Sequence, residues 1–85
     1  MHELGVLLKA VKTVHYIAEK NNIGHVKFMT LEVGEESGYL PVFLNKLFPI
    51  ATEQFPNMEN MELKIEMVSG RGLSIKDIGY WFKKY

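Results

Sequence analysis

The first three residues, Met1-His2-Glu3, gather the metal-binding chemistry of this chain. A free α-amine on Met1, the imidazole of His2 and the backbone nitrogens of His2 and Glu3 lie within a few bonds of one another. Together they can close small chelate rings in one plane. A square of nitrogens favours Ni(II) or Cu(II), whereas zinc prefers a tetrahedral sulfur and nitrogen set and hard ions prefer oxygen cages. Such a site must shed protons to bind. Free amines and imidazoles of peptides titrate in the range of about pH 6 to 8, and main-chain amides deprotonate only when the metal drives it, so affinity is expected to rise with pH. The competing reading is a start methionine followed by two polar residues on a loose terminus.

Other residues with chemical potential are more isolated. His15 lies between Val14 and Tyr16 with no second ligand at helical spacing, so it reads as a boundary residue rather than a metal ligand. His25 stands at the start of an extended segment and reads as a surface residue. The adjacent carboxylates Glu35 and Glu36 sit in Gly34-Glu35-Glu36-Ser37-Gly38, which is turn chemistry, and they read as solvated charges rather than an acid-base pair.

Composition excludes several functions. The 85 residues contain no cysteine, so disulfides and thiolate metal sites are ruled out. Ten basic residues balance ten acidic ones, and Arg71 is the only arginine, which leaves no basic stripe for tracking phosphates. Nucleic acid and anionic membranes are not expected partners. No Ser-His-Asp or Cys-His set and no phosphate-cradling glycine loop is suggested, so the chain does not read as an enzyme. The N-terminus lacks the basic flank and apolar core of a signal peptide, and no apolar run approaches the ~20 residues of a membrane span, which points to a cytoplasmic protein. At 47% hydrophobic and 24% charged residues, the chain has the composition of one small globular domain, with a core limited by its length.

The elements that must position these residues follow from periodicity. Leu4, Leu7, Leu8, Val11, Val14 and Ala18 predict an amphipathic helix of about five turns, ended by Asn21-Asn22-Ile23-Gly24. His25 to Val33 predicts a strand with Met29, Leu31 and Val33 on one face and Val26, Phe28, Thr30 and Glu32 on the other. Pro41 suits the first turn of a second helix, whose stripe of Val42, Phe43, Leu44, Leu47, Phe48, Ala51 and Phe55 is interrupted by Pro49; a kink or break is expected near Leu47-Phe48. Met61, Leu63, Ile65 and Met67 alternate with Glu62, Lys64 and Glu66 in a half-buried strand. After the turn Ser69-Gly70-Arg71-Gly72, the segment Leu73 to Ile78 alternates again and can continue into Tyr80-Trp81-Phe82. The last two strands read as a hairpin with a shared charged outer face. The expected class is α+β: two helices packed on one face of a three-stranded mixed β-sheet, in the order helix-strand-helix-strand-strand, with the first two strands parallel. Tyr80, Trp81, Phe82 and Tyr85 either cap the core or meet another subunit; aromatic clusters commonly mark interfaces, which favours a homodimer.

Met1-His2-Glu3-Leu4, the stretch Leu31-Glu32-Val33-Gly34-Glu35-Glu36-Ser37-Gly38 and the ending Gly70-Arg71-Gly72-Leu73-Ser74-Ile75-Lys76-Asp77-Ile78, in this order, resemble the HypA family of nickel metallochaperones. The resemblance runs over nearly the whole chain. It implies delivery of nickel for maturation of nickel-iron hydrogenase, and sometimes urease, together with a nickel-handling GTPase and the hydrogenase large subunit as partners. It also implies Ni(II) bound as cargo at Met1, His2 and Glu3. The family's zinc domain, built from two Cys-x-x-Cys pairs between the last two strands, has no counterpart here. The turn Ser69 to Gly72 stands in its place; an alternative alignment sets Ile75 and Ile78 where one Cys-x-x-Cys would fall. Under either alignment no structural zinc is expected, and residues 1–85 read as a single HypA-like nickel-binding domain. A HypA relative that has lost zinc and chaperone activity, and keeps the fold for protein contacts alone, is the alternative.

Overall fold

The computed structural model describes residues 2–84. Helix α1 spans Glu3–Lys20, strand β1 Ile23–Gly34, helix α2 Pro41–Thr52, strand β2 Glu62–Val68 and strand β3 Leu73–Phe82, with a short 3-10 turn at Pro56–Met58 before β2. Both helices lie on one face of a three-stranded mixed sheet, as the apolar periodicity requires. The sheet order is β2-β1-β3, with β1 parallel to β2 and antiparallel to β3. Leu7, Val11 and Val14 from α1 meet Met29, Leu31 and Val33 from β1 and Leu44 from α2 in one core, all of them fully buried.

The expected hairpin between the last two strands is not formed, because β1 lies between them. The turn Ser69-Gly70-Arg71-Gly72 instead carries the chain across the end of β1. The Gly34 amide donates to the Gly72 carbonyl at 2.7 Å, Glu35 to Val68 at 2.7 Å and Glu36 to Gly70 at 2.8 Å. The crossing is so close that a Cβ on Gly34 would overlap the Gly70 carbonyl. Alternation and a glycine-rich turn look alike whether two strands are neighbours or one apart. The charged outer face is shared across the central strand: Lys76 on β3 reaches over β1 to Glu66 on β2, with Nζ 2.9 Å from Oε1. That hydrogen bond, with the carboxylate's charge, raises the Lys76 ammonium above its ordinary 10.5.

Several side chains also depart from simple alternation. Ile23 begins β1 and is buried, rather than belonging to the helix terminator, while Asn22 alone takes the positive φ, at 59°. Val26 is fully buried on the same side as Met29, although an unbroken strand would place it opposite. Here β1 holds one more residue than β3 between the pairs Val26↔Tyr80 and Phe28↔Gly79. That bulge turns Val26 inward. Met67 was expected in the core but is 45% exposed, since β2 is an edge strand. On α1, Leu4 faces solvent more than its stripe suggests, and Ala10 is buried in the core.

Helix α2 is not broken at Leu47-Phe48; it continues through Pro49 to Thr52. Proline at this point forfeits the one amide bond it would have given to Asn45. The buried Phe48 and Ala51 on either side hold the last turn against the core. Phe55 lies beyond the helix, half-buried, with its ring 4.7 Å from that of His15.

Candidate metal centre

Helix α1 starts at the expected chemistry. Glu3 is its first helical residue and His2 its N-cap, whose carbonyl accepts the Val6 amide at 3.0 Å. Met1 lies outside the described residues. The amides of an N-cap and of the first helical residues have no acceptor within the helix. The main-chain nitrogens of His2 and Glu3 are therefore ones that α1 does not use.

Their mutual orientation is set by a single torsion. The dihedral from the His2 nitrogen through Cα and C to the Glu3 nitrogen is ψ of His2 itself, and it is 44°. Most N-caps lie in the extended region, which splays these two nitrogens apart. At 44° both lean to the same side, and a modest rotation about one bond brings them into a plane. The His2 side chain makes no capping hydrogen bond and is exposed, so its imidazole can swing toward the main chain without giving up a partner in the helix cap.

Glu3 is 5% exposed, and its Oε2 accepts the Leu40 amide at 3.4 Å. Leu40 is the N-cap of α2. The carboxylate thus ties the starts of the two helices together, which leaves the Glu3 main-chain nitrogen as its natural donor to a metal. The positive end of the α1 dipole opposes a cation there by roughly 0.3–1 kcal/mol, but it also favours the anionic form of a deprotonated amide. The Glu3 carboxylate offsets the first effect.

The remaining candidates are scattered. His15 is half-buried against Phe55, and its Nδ1 is buried without a hydrogen-bond partner. His25 lines a cavity of about 700 Å³ at the far end of the sheet, with Trp81 and Lys83. Glu35 and Glu36 are exposed, and their contribution to the crossing turn is through the main chain. Among the described residues, no three histidine, aspartate or glutamate side chains converge as a metal cluster. Sequence reasoning missed the clamp between Glu3 and Leu40. Its partners are 37 residues apart, and neither residue type signals the other.

Comparison with known proteins decides the family. Residues 1–77 match the model for "Hydrogenase/urease nickel incorporation, metallochaperone, hypA". The chain belongs to the HypA family. HypA-family proteins are metallochaperones for nickel incorporation rather than enzymes, and this chain is one of them. Its fold is similar to the solution structure of the Ni metallochaperone HypA from Helicobacter pylori, with a TM-score of 0.72 over 95% of this chain and 94% of that one. Identity to that HypA is 14%, so the likeness is one of fold. No curated protein matches the sequence. No helix among the described residues of this HypA-family chain is long and apolar enough to cross a membrane.

Proposed function

We propose that this HypA-family protein carries Ni(II) as cargo on the α-amine of Met1, the main-chain nitrogens of His2 and Glu3 and the imidazole of His2, and passes it to a nickel enzyme such as nickel-iron hydrogenase. The observation that supports this reading is the conformation of His2. It caps α1 with ψ at 44°, which aligns two nitrogens left over by the helix beside an uncommitted imidazole. The mechanism is reversible chelation. Binding releases protons from the amine and the amides, and a lower local pH or a competing ligand set returns them and frees the ion.

In this reading residues 1–85 form one nickel-binding domain that works without zinc, since they contain no cysteine. The cell partners are a nickel-handling GTPase and the hydrogenase large subunit, encountered in the cytoplasm, with no role for nucleic acid or membrane. The balanced charge of ten basic and ten acidic residues supports the last two points.

The test is calorimetry with Ni(II), Cu(II) and Zn(II) on untagged protein. One Ni(II) per chain is expected, with affinity rising with pH because binding releases protons. Both His2→Ala and acetylation of the Met1 amine should abolish stoichiometric nickel binding, since each removes a proposed nitrogen donor. Full retention of one tightly held Ni(II) in either form would sink the assignment.

A further inference from the structure

Strand β3 is an edge of the sheet, and its two halves are protected very differently. Natural edge strands carry charges, prolines or bulges that discourage a further strand from pairing. On the opposite edge, β2 has Glu62, Lys64 and Glu66. The first half of β3 has Lys76 and Asp77, with Lys76 an extra residue on β3 itself, whereas the two irregularities beside Gly79 to Phe82 are extra residues on β1 and leave the edge unbulged. From Ile78 to Phe82 there is no charge and no proline, only Ile-Gly-Tyr-Trp-Phe. The aromatic rings there are open on both faces of the strand. Tyr80 is 39% exposed and Phe82 62%, in edge contact with each other at 5.2 Å, while Trp81 is 61% exposed on the other face under the Lys27 ammonium. A partner docking flat against the sheet would need one apolar face. A strand added to the edge covers both. The capping role considered for these aromatics is excluded for Tyr80, Trp81 and Phe82 by their exposure, Tyr85 lying outside the described residues, and the family match ends at residue 77, before this segment begins.

We propose that the edge Asp77 to Lys83 pairs with the same edge of a second copy, antiparallel about a two-fold axis at Tyr80, so that two three-stranded sheets become one continuous sheet. The sequence is self-complementary in that register. Each Asp77 stands opposite Lys83 of the other copy, so opposite charges meet twice across the axis. Ile78 stands opposite Phe82, and Tyr80 opposite Tyr80. Gly79 stands opposite Trp81. Within one chain the Phe28 ring already lies over Gly79, so closely that a Cβ there would overlap it. The incoming indole therefore meets an aromatic ring rather than open solvent. Any other register either separates the Asp77 and Lys83 charges or sets like charges opposite each other. The dimer is independent of the metal site, which lies at the other end of α1.

The test uses the full untagged chain with a chelator present, by sedimentation equilibrium from about 1 µM to about 1 mM, a span that brackets small strand-pairing interfaces. A monomer-dimer equilibrium is expected. Trp81 is the only tryptophan, so its emission should shift to the red on dilution with the same midpoint. Asp77→Lys alone or Lys83→Asp alone sets like charges opposite each other twice and should weaken the dimer at least about tenfold. The double variant D77K/K83D should restore the affinity to within about threefold. Circular dichroism checks that each variant is folded. A chain that stays monomeric throughout, a dimer that forms only with added metal, single variants of unchanged affinity, or a double variant as weak as the singles would each overturn the proposal. None of these outcomes bears on nickel binding by the monomer.

Discussion

At the scale of single residues, His2 and Glu3 divide the work at the start of α1. In the proposed site His2 offers its side chain while its carbonyl serves the helix, and Glu3 offers its main-chain nitrogen while its side chain is committed to Leu40. The carboxylate is therefore expected to matter for stability and the amide nitrogen for metal. Glu3→Ala leaves the Leu40 amide without this acceptor and should cost about 1–2 kcal/mol in denaturant unfolding. Glu3→Gln keeps an acceptor oxygen and should recover most of that loss. Both variants should still hold one Ni(II), because neither removes a main-chain nitrogen; loss of nickel with full stability in Glu3→Gln would instead make the carboxylate a ligand. The proposed chelate at His2 is argued from residue types alone, since chelate rings are built from covalent neighbours. The value of ψ that aligns the nitrogens was not, because it is set by how the chain leaves a packed helix.

At the scale of elements, helices were read well and strand partners less so. Five turns of α1 follow from a stripe that repeats every three to four residues, and the observed Glu3–Lys20 agrees. Helix α2 shows the limit of a local rule. Pro49 predicts a break, yet Phe48 and Ala51 are buried and the helix survives to Thr52. Tertiary burial outweighs the one lost hydrogen bond and the local clash. It follows that Pro49→Ala should stabilise the protein by about 2–2.5 kcal/mol, being the roughly 3 kcal/mol helix penalty of proline less the entropy of about 0.4–1 kcal/mol that proline removes from the unfolded chain. Thermal unfolding would read this as a higher midpoint. A lower one would mean that the proline ring itself fills space that alanine leaves empty. In β1 the bulge beside Lys27 reverses which side chains face inward. Period-two counting cannot register an inserted residue.

At the scale of the whole molecule, two ends with different chemistry are separated by the length of α1, roughly 27 Å for its 18 residues at the usual helical rise. One end holds His2, Glu3 and the loop of Glu35 and Glu36. The other gathers His25, Lys83, Lys84 and the open aromatics Trp81 and Phe82. Nickel binding and strand pairing are expected not to influence each other. Nickel affinity measured well below and well above the dimer midpoint should agree within about twofold, and Asp77→Lys should leave it unchanged. A nickel affinity that follows protein concentration would place a second copy near the metal and contradict this separation.

The sequence by itself determined the number and type of elements, their order and the side of the sheet the helices cover. It also carried the family in its motifs. All of these rest on covalent neighbours or on short periods, which a chain displays before it folds. Tertiary structure alone decided that β1 lies between β2 and β3, that Gly34 must let the Gly70 carbonyl pass, and that Glu3 reaches Leu40. Those outcomes depend on contacts between segments far apart in the chain, where many pairings share one hydrophobic pattern and only the packed core selects among them.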